Sequence, residues 1–276
     1  MTPRVSVVVP AYNNADYIAE TIDSILNQTY QDFELIISDH SSTDDTVKVL
    51  ARYADDPRIE ILSTEAGGGA KRNWDRVSEA ANGELLKLVC GDDTIYPECL
   101  AEQVAAFDEH PSVVLVASQR KLVDANGKTI LSARGLAGLK GLVTGRDAAR
   151  KTVTAGANIF GEPGCVLMKR SALKAIGWWD DTNPYVIDEA TYTAVALQGD
   201  VYAIAKPLAS FRVNAGQWSV RLAKDQARQA AAFHKDLRES DPTLVSAMDV
   251  RIGDARALAT SFMRRGVYML LRHRMS

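Results

Sequence analysis

The chain has 276 residues, 46% hydrophobic and 24% charged, with a net charge of −3. That is the composition of a globular protein built around one large domain, and the acidic balance argues against nucleic-acid binding. No apolar run reaches the roughly 18–20 residues of a membrane span. The five-residue run Val5–Val9 is too short for a secretory leader, and three cysteines without metal-type spacing point to a reduced, cytoplasmic setting.

In chain order, Val5–Val9 reads as a buried strand. Residues 15–28 carry Ile18, Ile22, Ile25 and Leu26 at helical spacing. Phe33–Ser38 is a second strand and Asp44–Tyr53 a helix with Thr43 or Asp44 as its cap. Ile59–Leu62, Ala70–Ala81 and Leu85–Val89 repeat the alternation. Four strands separated by helices predict an α/β fold with a mostly parallel sheet covered on both faces. A helix follows Pro97 to about Glu109, then a strand, Val113–Ser118. Residues 119–160 are glycine-rich with little periodicity and read as a loop-rich excursion or acceptor-side flap. Gly164–Met168 is a strand and Glu189–Leu197 a helix, with Val201–Ala205 and Ser210–Val213 as short late strands. From Gln217 the pattern is helical, broken near Asp241-Pro242.

Ligands of parallel α/β sheets bind outside the carboxyl ends of the strands. That rule gathers Pro10, Tyr12, Asn13, Asp39, His40, residues 67–73, Asp92 and Asp93 at one rim. No G-x-G-x-x-G or P-loop motif is present, which disfavours dinucleotide and P-loop chemistry. In CGDDTIYP (Cys90–Pro97), two carboxylates end an apolar strand. Alone they read equally as the polar entrance to a helix. A strand so apolar leaves carboxylates there only at a cost without a partner, and Mg²⁺ or Mn²⁺ suits such a pair. The likeness of GDD to RNA-polymerase metal sites is poor in an acidic α/β chain.

The segment VSVVVPAYNNADYIAETIDSILNQTYQDFELIISDHSSTDDT, then GAKRN, then GELLKLVCGDD, resembles family 2 glycosyltransferases, which have the GT-A fold. GEPGCVLMKRSALKAIGWWD and VIDEATYTAVALQGDVYAIAKPLASFRVN extend the likeness, which covers roughly residues 4–214. It implies a GT-A type, Rossmann-like domain over residues 1–215 and a helical extension over 216–276. It also implies an inverting transfer from a nucleotide-sugar donor to a glycan or lipid-linked hydroxyl in polysaccharide synthesis. By that resemblance Pro10, Tyr12, Asp39, Arg72 and Asp92 bind the donor. Asp92 and Asp93 hold Mn²⁺ or Mg²⁺. Asp188 is the base, with Glu189 as the fallback; read without the resemblance, Asp188 is better placed as a helix cap.

The sequence departs from the family pattern at three places: His40 where a second Asp is frequent, Cys90 where the metal motif usually has its first acid, and Asn214 where His is frequent. The alternative reading is a nucleotide-sugar-binding domain without catalysis; a nucleotidyltransferase lacks support, because PAYNNADY is not the Gly-rich first loop of that class. Trp178, Trp179 and Trp218 are candidate sugar platforms on a par with ordinary core aromatics. Residues 221–276 carry 11 Lys+Arg against 6 Asp+Glu. The end, SFMRRGVYMLLRHRMS, holds four arginines and no acid, which suits peripheral contact with an anionic membrane face as well as packing on the body.

Overall fold

Val5–Ala11 (β1) is almost wholly buried because it lies between two parallel neighbours, Phe33–Asp39 (β2) and Leu85–Leu88 (β4). Helices above and below such a strand leave no wet face, hence the unbroken Val run. The structure, a computed structural model, describes residues 2–214 and 225–271. The remaining strands are Ile59–Ser63 (β3), Thr94–Ile95 (β5), Val113–Val123 (β6), Thr129–Arg134 (β7), Gly141–Thr144 (β8), Val166–Lys169 (β9) and Asp200–Arg212 (β10). They form one mixed sheet in the order β3-β2-β1-β4-β9-β6-β10-β5, with β7 on β6 and β8 on β10. The half β3-β2-β1-β4 is parallel, as the alternation predicts, and β6 and β10 pair in parallel; β9 runs antiparallel between β4 and β6.

Ile18–Leu26 (α1) turns Ile18, Ile22 and Ile25 into the core. A second stripe on and just beyond it fastens the loop after β4. Thr21 Oγ1 donates to Asp93 O (2.8 Å), Ser24 Oγ accepts from Ile95 N (3.2 Å) and Gln28 Nε2 donates to Tyr96 O (2.8 Å). Thr46–Leu50 (α2) is continued by a 3₁₀ turn to Tyr53, and Asp44 Oδ1 accepts from Thr46 N (3.0 Å) at its start. Gly69–Ala80 (α3) and Cys99–Glu109 (α4) complete the first half.

Residues 119–160 are more regular than their composition suggests. β6 continues to Val123, β7 and β8 follow, and Gly145–Ala155 (α5) is a helix. Its buried face is made of the small and β-branched residues Gly145, Ala148, Ala149, Thr152 and Val153. Thr144 caps it through Asp147 N, and Gly156 in the left-handed region ends it. The two late strands are one, β10, whose register to β6 shifts around Pro207, a residue with no N–H to donate.

Arg170–Ala175 (α6) and Ile187–Ala196 (α7) lead to the last two helices, Gln226–Ser240 (α8) and Ala247–Leu271 (α9). Leu244 and Val245 pack on Ala149 and Val153 of α5, while Phe233, Ala230 and Ala257 enclose Val186 before α7. Inside this layer His234 is fully buried, its Nδ1 2.7 Å from Asp254 Oδ1. Trp218 and the Arg272 and Arg274 end of the basic tail lie outside the described residues.

Candidate active site

At the carboxyl rim of β1–β3, Asn73 of α3 ties the loops together. Its Nδ2 donates to Ser38 O (2.9 Å), and its Oδ1 accepts from Thr64 Oγ1 (2.8 Å). Gly67, Gly68 and Gly69 all have positive φ, 89°, 75° and 65°, so side chains are strained at all three. That turn brings Arg72 back over Ala66 O (3.1 Å) and Glu65 Oε2 (2.7 Å). Along α3, Arg72, Arg76, Glu65 and Glu79 line an open groove of about 320 Å³.

Asp39 ends β2 and is 8% exposed. Its Oδ2 accepts from Ser42 N (3.1 Å), whereas its buried Oδ1 has no partner among the described residues. A buried carboxylate oxygen without a donor calls for an external one. Pro10 is partly exposed beside it, and Tyr12, 51% exposed, lies edge-on to His40 at 6.1 Å. His40 Nε2 meets Gly67 O at 2.9 Å, linking the second and third loops.

The loop after β4 packs tightly on the first: a Cβ at Gly91 would come within 2.6 Å of Asn14 Oδ1. Asp93 is 2% exposed, with Oδ1 accepting from Arg212 N (2.9 Å). Burial, then the neighbouring Asp92 charge, push its carboxyl well above the ordinary range. Asp92 is half-buried, and its Oδ2 accepts from Asn214 Nδ2 (2.9 Å).

Sequence reading gave no role to Arg212, which stitches this loop. Its Nε donates to Asp92 O (2.9 Å) and Nη1 to Ala125 O (3.0 Å); Nη2 reaches Glu20, and the guanidinium lies 4.6 Å from the centre of the Tyr17 ring. Two crowded, largely buried carboxylates fit a divalent cation, the partner that relieves both burial and mutual repulsion. Among the described residues no third His, Cys, Asp or Glu completes a metal-holding group. Cys90 adds no charge: burial, then Asp93 and Asp92, push its thiol well above the ordinary value.

Asp188 is not the cap of α7. The helix begins at Ile187 after Val186, with no side-chain cap, and Asp188 lies inside its first turn. Its Oδ2 accepts from Asn158 Nδ2 (2.9 Å) and its Oδ1 from Glu189 N (2.8 Å). Burial, then the Glu162 charge, push its carboxyl up to about 7, opposed by those two bonds. Glu189 is 4% exposed with a partnerless buried Oε1, and burial and Asp188 hold it well above the ordinary range. Asp188 is thus the more accessible carboxylate of the pair.

Trp179 is not a sugar platform. It is 1% exposed, donates Nε1 to Ser78 Oγ (2.9 Å) and meets Trp74 and Tyr192 edge-on at 4.7 and 5.8 Å. Trp178 is half-buried against the same core, at a φ of 71°.

The Glycosyl transferase family 2 profile (Glycos_transf_2) matches residues 6–177. Chondroitin synthase of Pasteurella multocida (strain Pm70) is 34% identical over 129 residues, 46% of this chain and 13% of that protein. The putative glycosyltransferase EpsE of Bacillus subtilis (strain 168) is 32% identical over 127 residues, 45% of this chain and 46% of that protein. The chain therefore aligns with less than half the length of either relative. Among solved structures, residues 1–349 of S. aureus TarS in complex with UDP-GlcNAc superpose with a TM-score of 0.69 at 20% identity, over 87% of this chain and 68% of that one. The mannosyltransferase PcManGT from Pyrobaculum calidifontis, in complex with GDP-Man and Mn²⁺, gives 0.67 at 20% identity over 98% and 76%. These likenesses establish the GT-A fold. A parallel β-α rim that ends in Asp39 and Asp92-Asp93 is the part the profile spans, and by that match the chain belongs to glycosyl transferase family 2.

Proposed function

We propose that the protein is a metal-dependent, inverting glycosyltransferase. It moves a sugar from a nucleoside-diphosphate donor to a hydroxyl of a glycan or lipid-linked acceptor in cell-surface polysaccharide synthesis. The catalytic unit is residues 1–215, with 216–276 as a helical extension. The observation that carries the reading is the sheet rim with the orphaned acceptor of Asp39 and the Asp92-Asp93 pair, together with Asp188, which acts on the Cys90 thiol alongside that pair. Names of similar proteins support it: chondroitin synthase, a UDP-GlcNAc complex and a GDP-Man/Mn²⁺ complex.

In this reading Asp39 takes a donor N–H or O–H from the nucleoside, Pro10 and Tyr12 flank the base, and Arg72 pairs with the base or diphosphate. Asp92 and Asp93 would hold Mn²⁺ or Mg²⁺, which supplies charge neutralisation at the departing diphosphate. Asp188 removes the acceptor proton as the hydroxyl attacks the anomeric carbon. No covalent intermediate is needed.

A thermal-shift screen of UDP-, GDP- and dTDP-sugars with and without Mn²⁺ tests this. At about one hundred times Kd a bound donor raises Tm by about 5 °C or more. Asp93→Ala removes the Mn²⁺-dependent part of the shift. Absence of a shift with every nucleotide rejects the reading, and binding without turnover identifies a non-catalytic binding domain instead.

The same reading includes peripheral contact with the inner face of the membrane, through α9. No helix of the described residues is long and apolar enough to cross a bilayer. On α9, Met248, Ile252, Leu258, Phe262 and Met263 are exposed, while Asp249 is buried beside Arg150 and Asp254, 40% exposed, is paired with His234. An apolar stripe beside Arg251 and without acids complements an anionic lipid surface. Deleting residues 262–276 is expected to lower partition onto phosphatidylserine vesicles at least several-fold in a flotation assay. Unchanged partition, or a change of oligomeric state instead, rejects membrane contact.

A further inference from the structure

Asp188 takes its hydrogen bonds from neutral donors, yet a fixed charge stands close by. Arg120 on β6 is 4% exposed and grips Glu162 at two points: Nη2 donates to Oε1 (2.8 Å), and Nε pairs with Oε2. The loop carrying Glu162 is rigid. Asn158 Oδ1 accepts from Phe160 N (3.0 Å) and Gly161 N (3.1 Å), and its Nδ2 donates both to Gly161 O and to Asp188 Oδ2, each at 2.9 Å. Gly161, at φ 93°, leaves no room for a Cβ, which would lie 2.8 Å from Cys165 Sγ. One peptide therefore separates Glu162 from the amide that holds Asp188.

We propose that Glu162 is a positioning residue for proton transfer: Arg120 keeps it ionised beside Asp188, and its fixed negative charge makes Asp188 a stronger proton acceptor than a solitary carboxylate. The proposal rests on Asp188 as the base. Each element around Asp188 is consistent with it. On α7, burial first and then Asp188 push Glu189 well above its ordinary range, and burial chiefly pushes Tyr192 up. The Cys90 thiol after β4 is pushed up as well. Burial also pushes Glu162 up, but the Arg120 charge and hydrogen bonds outweigh it and leave Glu162 below the ordinary range. After burial, the Glu162 charge is the largest influence that raises Asp188.

The test needs neither donor nor metal. Protein labelled with [¹³C]carboxyl aspartate is titrated by NMR, with the Asp188 signal identified by its loss in Asp188→Asn. In Glu162→Gln the Asp188 midpoint is expected to fall by about one unit or more. Glu162→Asp, which restores an anion, brings it back towards the native value. If Glu162→Gln fails to fold because Arg120 is left with a neutral partner, the double variant Glu162→Gln/Arg120→Met removes both charges and is expected to give a fall in the same direction but smaller, because the Arg120 cation also acts on Asp188. An unchanged midpoint in a folded variant overturns the proposal. A shifted midpoint with turnover indifferent to Asp188 leaves the coupling standing and overturns only the assignment of the base.

Discussion

Asp188→Asn lowers transferase turnover by about 10³-fold, leaves nucleotide binding intact, and makes the protein more resistant to urea at pH 8 than the parent. The first figure is the usual range for losing a general base. Donor binding is expected to be spared because, among the described residues, Asp188 bonds Asn158 and Glu189 N and neither Asp39 nor Arg72. The stability effect follows from linkage. The carboxyl titrates at about 7 when folded and near 3.8 ordinarily. Below about pH 4 it is protonated in both states. Between there and about pH 7 the unfolded chain ionises first, so stability is lost as pH rises through that window. Asn cannot ionise and escapes the loss. It offers one oxygen to two donors, which costs about 1 kcal/mol at every pH. The parent's urea midpoint should therefore fall from pH 4.5 to 8, while the variant's stays comparatively flat. Parent kcat/KM should rise through about pH 7, as the free base ionises. Turnover within tenfold of the parent removes Asp188 as base; the remaining carboxylate, Glu189, is nearly inaccessible.

The first half of the fold was legible because its information is local. Apolar runs of strand length alternate with 3.6-residue periodicity, and each strand of β1–β4 lies within two residues of its expected place. The rim residues followed from topology alone, since parallel strands deliver their ends to one side. What was illegible depends on distance along the chain. Arg120 and Glu162 are 42 positions apart, Arg212 and Asp93 119 apart, and neither pairing has a local pattern. FRVN was conspicuous as a motif, but only the sheet reveals that its arginine points at the doublet. α5 keeps its small apolar residues at helical spacing, but it was missed because it is polar on average and set between Gly145 and Gly156 in a glycine-rich stretch. Trp179 resembles a platform in sequence; only burial against Trp74 and Tyr192 identifies it as core.

On the proposed function, Arg212→Met is expected to cost about 3 kcal/mol of stability and to weaken Mn²⁺-dependent nucleotide binding by more than tenfold. The side chain is 3% exposed, so its groups are out of water's reach. Removing one partner from a buried charged network strands the others, and that, rather than the lost contact, sets the size of the effect. Glu20 contributes little, because it is exposed and rehydrates. The stranded groups are the carbonyls of Asp92 and Ala125; Asp93 keeps the bond from the residue 212 N–H and loses only the nearby positive charge. Met fills the volume and keeps contact with the Tyr17 ring, so cavity formation is not the main loss. Binding suffers because Nε of Arg212 orients the Asp92 peptide, and with it the carboxylate that Asn214 also holds. Arg212→Lys separates charge from geometry. A single ammonium restores the charge but cannot reach Asp92 O, Ala125 O and Glu20 together, so it should recover part of the stability and little of the Mn²⁺ effect. Urea unfolding and calorimetric titration of UDP with Mn²⁺ read the two quantities. A loss below about 0.5 kcal/mol for Met, the range of an ordinary surface substitution, would show that the loop holds its carboxylates without the arginine.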